Sequence, residues 1–143
     1  MFKLRHIGIV VRNLKDSVAF YKDLFDLEVQ KEMIEEGKYI DELVAIKDAS
    51  ISWTKLKAKD GTVLELLEYQ NTIKQEKNNY AANRLGCSHI AVSVKNIDEI
   101  YEKLQKYNCK CNSKPLFSPD GNVKVMYGHD IDGTILEVVE ELK

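Results

Sequence analysis

The chain has 143 residues, 44% hydrophobic and 31% charged, with 21 basic and 23 acidic side chains for a formal charge of −2. That length suits one domain with a substantial core and is short for two independent ones. So small a net charge gives no general attraction to nucleic acid or anionic lipid, and only Arg5, Arg12 and Arg84 offer a guanidinium fork.

The first stretch, MFKLRHIGIVV, has too short an apolar run for a secretory signal or a membrane span. After His6, β-branched residues alternate and predict a strand. Asn13 or Asp16 is the expected N-cap of a helix in which Val18, Tyr21 and Leu24 lie three apart, with Phe20 beside them. Strands are expected over 28–33, 51–56 and 63–69, the last entered through the turn KDGT at 59–62. The polar run 71–84 reads as a connector, in part helical.

At His89 the pattern starts again. HIAVSVKNIDE (89–99) repeats HIGIVVRNLKD (6–16) at an offset of 83, and DGTILEVVEE (132–141) repeats DGTVLELLEY (60–69) at an offset of 72. The second copy predicts a strand, then a helix capped by Asn96 or Asp98 with Ile97, Ile100, Tyr101 and Leu104 on one face. Strands over 110–116, 123–128 and 135–140 follow. The expected fold is α+β, two tandem βαβββ modules forming a cupped mixed sheet. They make a single domain over 1–143, with module one at about 1–70, a connector at 71–85 and module two at 86–143.

The eleven extra residues of the first copy fall within 31–49. Ile40, Leu43, Val44 and Ile46 there have partial helical spacing, which suggests a short helix over the mouth of a cavity or at an interface between chains. The cysteines, Cys87, Cys109 and Cys111, are odd in number with no secretory signal, so reduced thiols and a cytoplasmic location are expected. Cys109 and Cys111 lack a matching Cys or His pair and read as structural. His129, before a turn, reads as a solvated loop residue, and Trp53 as core or cavity wall.

Two glutamates stand inside apolar strands. Alternation puts Leu64 and Leu66 under the first helix and Glu65 on the opposite face; Leu136, Val138 and Glu137 repeat the arrangement. An ionised carboxylate in such a place needs a cationic or hydrogen-bonding partner. His6 and His89, at the starts of the first strands, can reach the same helix-free faces. Two His and two Glu suit a first-row divalent ion, Zn, Ni, Co, Mn or Fe. A hydrogen-bonded strand histidine near an exposed glutamate explains one such pair more simply, but it must explain the same coincidence twice. Glu68 and Glu140 lie on the other face, near strand ends, and rank below Glu65 and Glu137 as ligands.

The segments LRHIGIVVRNLKDSVAFYKDLF, CSHIAVSVKNIDEIYEKL, DGTVLELLEY and DGTILEVVEE together resemble the vicinal oxygen chelate superfamily, which includes glyoxalase I, methylmalonyl-CoA epimerase, extradiol dioxygenases and fosfomycin and bleomycin resistance proteins. The resemblance covers nearly the whole chain. It implies paired βαβββ modules around one divalent metal, with ligands at His6, Glu65, His89 and Glu137. It further implies a metal-dependent lyase or isomerase of the glyoxalase type acting on a small molecule with vicinal oxygens. Glu137 or Glu65 would move the proton. The alternatives are an extradiol-type dioxygenase and a non-catalytic small-molecule-binding protein of the resistance type. The strand LELLEY lacks the Asn that typically follows the glutamate in glyoxalase I, so glutathione is not expected. A homodimer is expected, with no nucleic-acid or membrane partner.

Overall fold

A computed structural model of the chain describes residues 3–73, 81–86 and 89–143. The chain divides into two compact units, Met1–Lys74 and Gln75–Lys143. Of the anticipated connector at 71–85, positions 74–80 lie outside the described residues; 71–73 and 81–85 hold turns, bends and irregular chain, without helix.

In the first unit the order is β1 (Ile7–Val10), α1 (Leu14–Phe25), β2 (Glu28–Glu36), α2 (Lys38–Val44), β3 (Ser50–Lys57) and β4 (Val63–Tyr69). Its sheet runs β1-β4-β3-β2, with β1 and β4 parallel and the other pairs antiparallel. The second unit contains β5 (Ile90–Ser93), α3 (Ile97–Lys106), β6 (Leu116–Phe117), β7 (Val123–His129) and β8 (Ile135–Glu141). Its sheet, β5-β8-β7-β6, has the same topology, with β5 and β8 parallel. The α+β class and the tandem modules are thus present as two four-stranded mixed sheets, one per module.

α1 and α3 start for the same two reasons. The Asn13 side chain accepts from Asp16 N–H at 2.9 Å, and Asn96 accepts from Glu99 N–H at 3.2 Å, so the asparagines are the caps. At the first helical residue, next to the cap, a carboxylate from the last strand supplies a second acceptor. Glu68 Oε2 accepts from Leu14 N–H at 2.6 Å, and Glu140 Oε2 from Ile97 N–H at 2.8 Å. Both carboxylates meet the positive end of a helix dipole, where a negative charge is favourable. The two glutamates that ranked second as ligands therefore pin each helix to its sheet.

α1 packs on β3 and β4, burying Phe20, Tyr21 and Leu24 in the unit that holds Ile9, Leu56 and Leu66. α3 packs on β7 and β8 and buries Ile97, Ile100 and Leu104 in the unit of Met126, Leu136 and Val138. Gly128 permits this close approach, since a Cβ there would lie 2.6 Å from Leu104 Cδ1.

Two sequence expectations change. The strand expected over 110–116 shrinks to Leu116–Phe117. Hydrogen bonds from His129 N–H to Lys110 O and from Asn112 N–H to Tyr127 O hold the start of the segment against β7, but Pro115 has no N–H to continue the ladder. β2, conversely, runs on to Glu36. It ends at Gly37, whose φ of 93° only glycine adopts cheaply, and the chain turns there into α2. Ile40 of α2 joins Ala49, Ile51 and Trp53 in a small second core, with Val44, Ile46, Leu67 and Tyr69 packed around it. Trp53, Leu67 and Tyr69 share the Glu65 face by alternation, so the inserted helix covers part of that face.

Candidate functional site

His6 stands immediately before β1, and the parallel register pairs Gly8 with Glu65. Alternation from position 8 back to 6 aims both side chains at one face, and His6 Nε2 lies 3.0 Å from Glu65 Oε2. The second unit repeats this: Ala91 pairs with Glu137, and His89 Nε2 lies 3.0 Å from Glu137 Oε2. His6 and Glu65 are thus brought together, as are His89 and Glu137. Each grouping is a pair: among the described residues no three or more His, Cys, Asp and Glu side chains gather as a metal site.

The pair geometry fits two roles. At 3.0 Å an imidazole N–H donates a charge-assisted hydrogen bond to a carboxylate. The same separation is that of adjacent donors on one first-row ion, since bonds of about 2.1 Å at a right angle put their ends about 3 Å apart. The Glu65 side chain is only 13% exposed and that of Glu137 27%, so both carboxylates need their partners.

The residues opposite the glutamates differ between modules. Antiparallel register sets Lys55 across from Glu65 and Tyr127 across from Glu137. Lys55 Nζ lies 3.5 Å from Glu65 Oε1, and 4.7 Å from the centre of the Trp53 ring. The Tyr127 hydroxyl donates to Glu137, and its ring lies 5.2 Å from that of His89. Burial, then the Glu137 charge and this hydrogen bond, push the phenol above its usual pKa. Neither residue was singled out from sequence. The offset of 72 does align position 55 with 127, but Lys and Tyr share no chemistry that would flag the match.

His129 is not a solvated loop residue. It ends β7 and is buried, with Nε2 at 3.3 Å from Asn112 Oδ1. Burial, then the Lys110 charge, lower its pKa against smaller opposing effects of a backbone hydrogen bond to Gly133 and of Asp130. A histidine that resists protonation when folded adds nothing to stability above its ordinary pKa of about 6.5 and costs stability as pH falls below it. Urea unfolding of the wild type and His129→Gln at pH 7.5 and 5.5 checks this. The wild type should lose more stability between the two pH values than the variant; equal losses would exclude His129 as the cause.

The C-x-C pair does not present thiolates. Burial, then the charges of Asp130 and Cys111, raise the Cys109 thiol to about 11, and burial also raises Cys111. Cys111 instead forms an isolated bridge with Gly128, consistent with a structural role. Cys87 lies outside the described residues.

Among the described residues no helix is long and apolar enough to cross a membrane. Residues 3–138 match the family model of the glyoxalase/bleomycin resistance protein/dioxygenase superfamily. The uncharacterized protein YaeR of Escherichia coli K12 is 27% identical over 140 residues, covering 97% of this chain and 96% of that protein. Among solved structures, a glyoxalase family protein from Bacillus cereus superposes with a TM-score of 0.89 at 19% identity, over 100% of this chain and 96% of the other. The fosfomycin resistance protein FosX of Listeria monocytogenes, crystallised with Mn(II) and sulfate, gives 0.63 at 15% identity, over 98% and 93%. With a family match over nearly its whole length and the tandem fold to go with it, the chain belongs to the glyoxalase/bleomycin resistance protein/dioxygenase superfamily, the vicinal oxygen chelate group its motifs resemble.

Proposed function

We propose that the protein is a metal-dependent lyase or isomerase of the glyoxalase type, with His6, Glu65, His89 and Glu137 as the ligands of one divalent ion (Zn, Ni, Co, Mn or Fe). The observation that carries this reading is the His–Glu pair at 3.0 Å, built twice by the same register in two modules. The Mn(II) bound by FosX, a neighbour in fold, is in keeping with it.

When bound, the ion supplies a Lewis acid that polarises adjacent oxygens of a small substrate. The chain's own residues do the rest. The imidazoles of His6 and His89 serve as neutral donors. Glu137 takes the proton from the substrate carbon and returns it to the neighbouring one. The Tyr127 hydroxyl orients that carboxylate through its hydrogen bond. The α2 helix and Trp53 shield part of the Glu65 face from water. A single domain acting as a homodimer in the cytoplasm belongs to the same reading, with the edge strands β2 and β6 as the means of pairing.

The test is metal analysis of the purified wild type and His89→Ala, with solvent-deuterium exchange into a 2-hydroxycarbonyl substrate. One divalent ion per chain and exchange without oxygen uptake are expected, both lost or sharply reduced in the variant. Stoichiometric metal unaffected by His89→Ala would overturn the ligand set. Oxygen consumption with catechols that depends on ferrous iron would replace the proposed reaction by ring cleavage.

A further inference from the structure

The repeat provides a control inside the molecule. Both modules place a glutamate beside a histidine, yet only the first sets an ammonium across from it; the second uses a neutral phenol. A glutamate in this setting is therefore stable without a cation opposite, and the presence of Lys55 calls for another reason. The ammonium is costly to place, since its side chain is only 20% exposed. Its 3.5 Å contact with Glu65 is also longer than the 2.7–2.9 Å of a charge-assisted hydrogen bond.

A second ammonium stands near Lys55. Lys31 Nζ lies 5.7 Å from the Trp53 ring centre, so two ammonium groups share one indole. The ring is held in place by the hydrogen bond from Trp53 Nε1 to Glu35 Oε2 at 2.8 Å. Glu35 and Glu65 thus set two negative charges against these two positive ones. With Glu65 given over to the proposed ion, Lys55 would be left without an uncommitted counter-charge.

We propose that Lys55, seated on Trp53 and seconded by Lys31, binds an oxyanion (carboxylate, phosphate or phosphonate) carried by the substrate next to its chelating oxygens. This inference rests on the metal-dependent reading above and narrows its substrates to acidic ones. Lys55 is then a specificity-determining residue, and its ammonium contributes attraction and hydrogen bonds to the ligand without taking part in proton transfer.

Trp53 is the single tryptophan of the chain and stacks beneath the ammonium, so its fluorescence reports binding at this place. Calorimetric titration with inorganic phosphate and, separately, acetate gives affinities for wild type, Lys55→Met, Lys55→Arg and Lys31→Met. The wild type should bind with a saturable change in Trp53 emission, and the tighter anion identifies the class of oxyanion. Lys55→Met should bind at least about tenfold more weakly with its metal content unchanged. Lys55→Arg, which keeps the charge, should stay within about threefold of wild type, and Lys31→Met should fall between the two.

Equal affinity of Lys55→Met and wild type would overturn the proposal. So would a loss in Lys55→Arg as large as that in Lys55→Met, which also covers a methionine variant that folds poorly. If the wild type holds no metal but phosphate binding still depends on Lys55, the metal reading fails and the anion site stands. If metal is stoichiometric and no variant alters anion binding, the anion site fails and the metal reading stands.

Discussion

Replacing Glu137 by Gln should lower solvent-deuterium exchange into the substrate by about 10²- to 10⁴-fold, the range for removal of a positioned general base. Glutamine keeps the shape and one oxygen donor, so metal content should fall less than activity does. Glu65→Gln should cost less exchange. The reason lies in the opposing residues: Glu65 sits between an imidazole and the fixed ammonium of Lys55, whereas Glu137 sits between an imidazole and a phenol that carries a proton of its own. A carboxylate across from a phenol can change its proton count without leaving a neighbouring ammonium uncompensated. Exchange rates for both variants, measured with metal content on the same samples, decide the matter. A larger loss at Glu65 would move the base to the first module, and no loss at either would remove both carboxylates from the chemistry.

The second large effect concerns the helix–sheet seam of the second unit. Leu104 is fully buried, and its truncation to Ala should cost about 2–5 kcal/mol. Gly128→Ala adds a Cβ 2.6 Å from Leu104 Cδ1 and 3.5 Å from Cys111 Sγ, and should cost about 1–3 kcal/mol through overpacking. The two changes oppose each other in volume, because the methyl added at 128 enters space vacated at 104. The double variant should therefore be more stable than the sum of the single losses predicts, by about 0.5–3 kcal/mol. Urea unfolding of the four proteins measures this coupling. Strict additivity would mean that α3 shifts away from β7 in Gly128→Ala, leaving no shared space between the two sites.

The helices and most strands were legible because their signals are local. Asn13 and Asn96 precede amphipathic stripes, and the sequence KDGT at 59–62 announces a hairpin. Glu65 and Glu137 stood out because a charge inside an apolar strand conflicts with its neighbours. What was hidden depends on pairing across the chain. Lys55 faces Glu65 because the hairpin is symmetric about Asp60, and neither residue signals that register by itself. His129 is buried through contacts with Asn112 and Lys110, which a reading of its own turn cannot see. The roles of Glu68 and Glu140 were missed for a related reason, since their partners are backbone N–H groups 54 and 43 residues earlier. β2 was cut short because its residues past Met33 include two glutamates in a row, a composition that an edge strand tolerates.

The last strand of each module is two components in one. Its outer carboxylate, Glu68 or Glu140, anchors the helix, and its inner one, Glu65 or Glu137, meets the histidine. The two lie three residues apart on opposite faces, so neither depends on the other. A change at 65 or 137 thus removes the histidine's partner and spares the contact that anchors the helix, while a change at 68 or 140 removes that anchor and spares the His–Glu pair. The repeat is therefore matched in these two glutamates and unequal in its surroundings, since the neighbour across from the inner glutamate is Lys55 in one module and Tyr127 in the other.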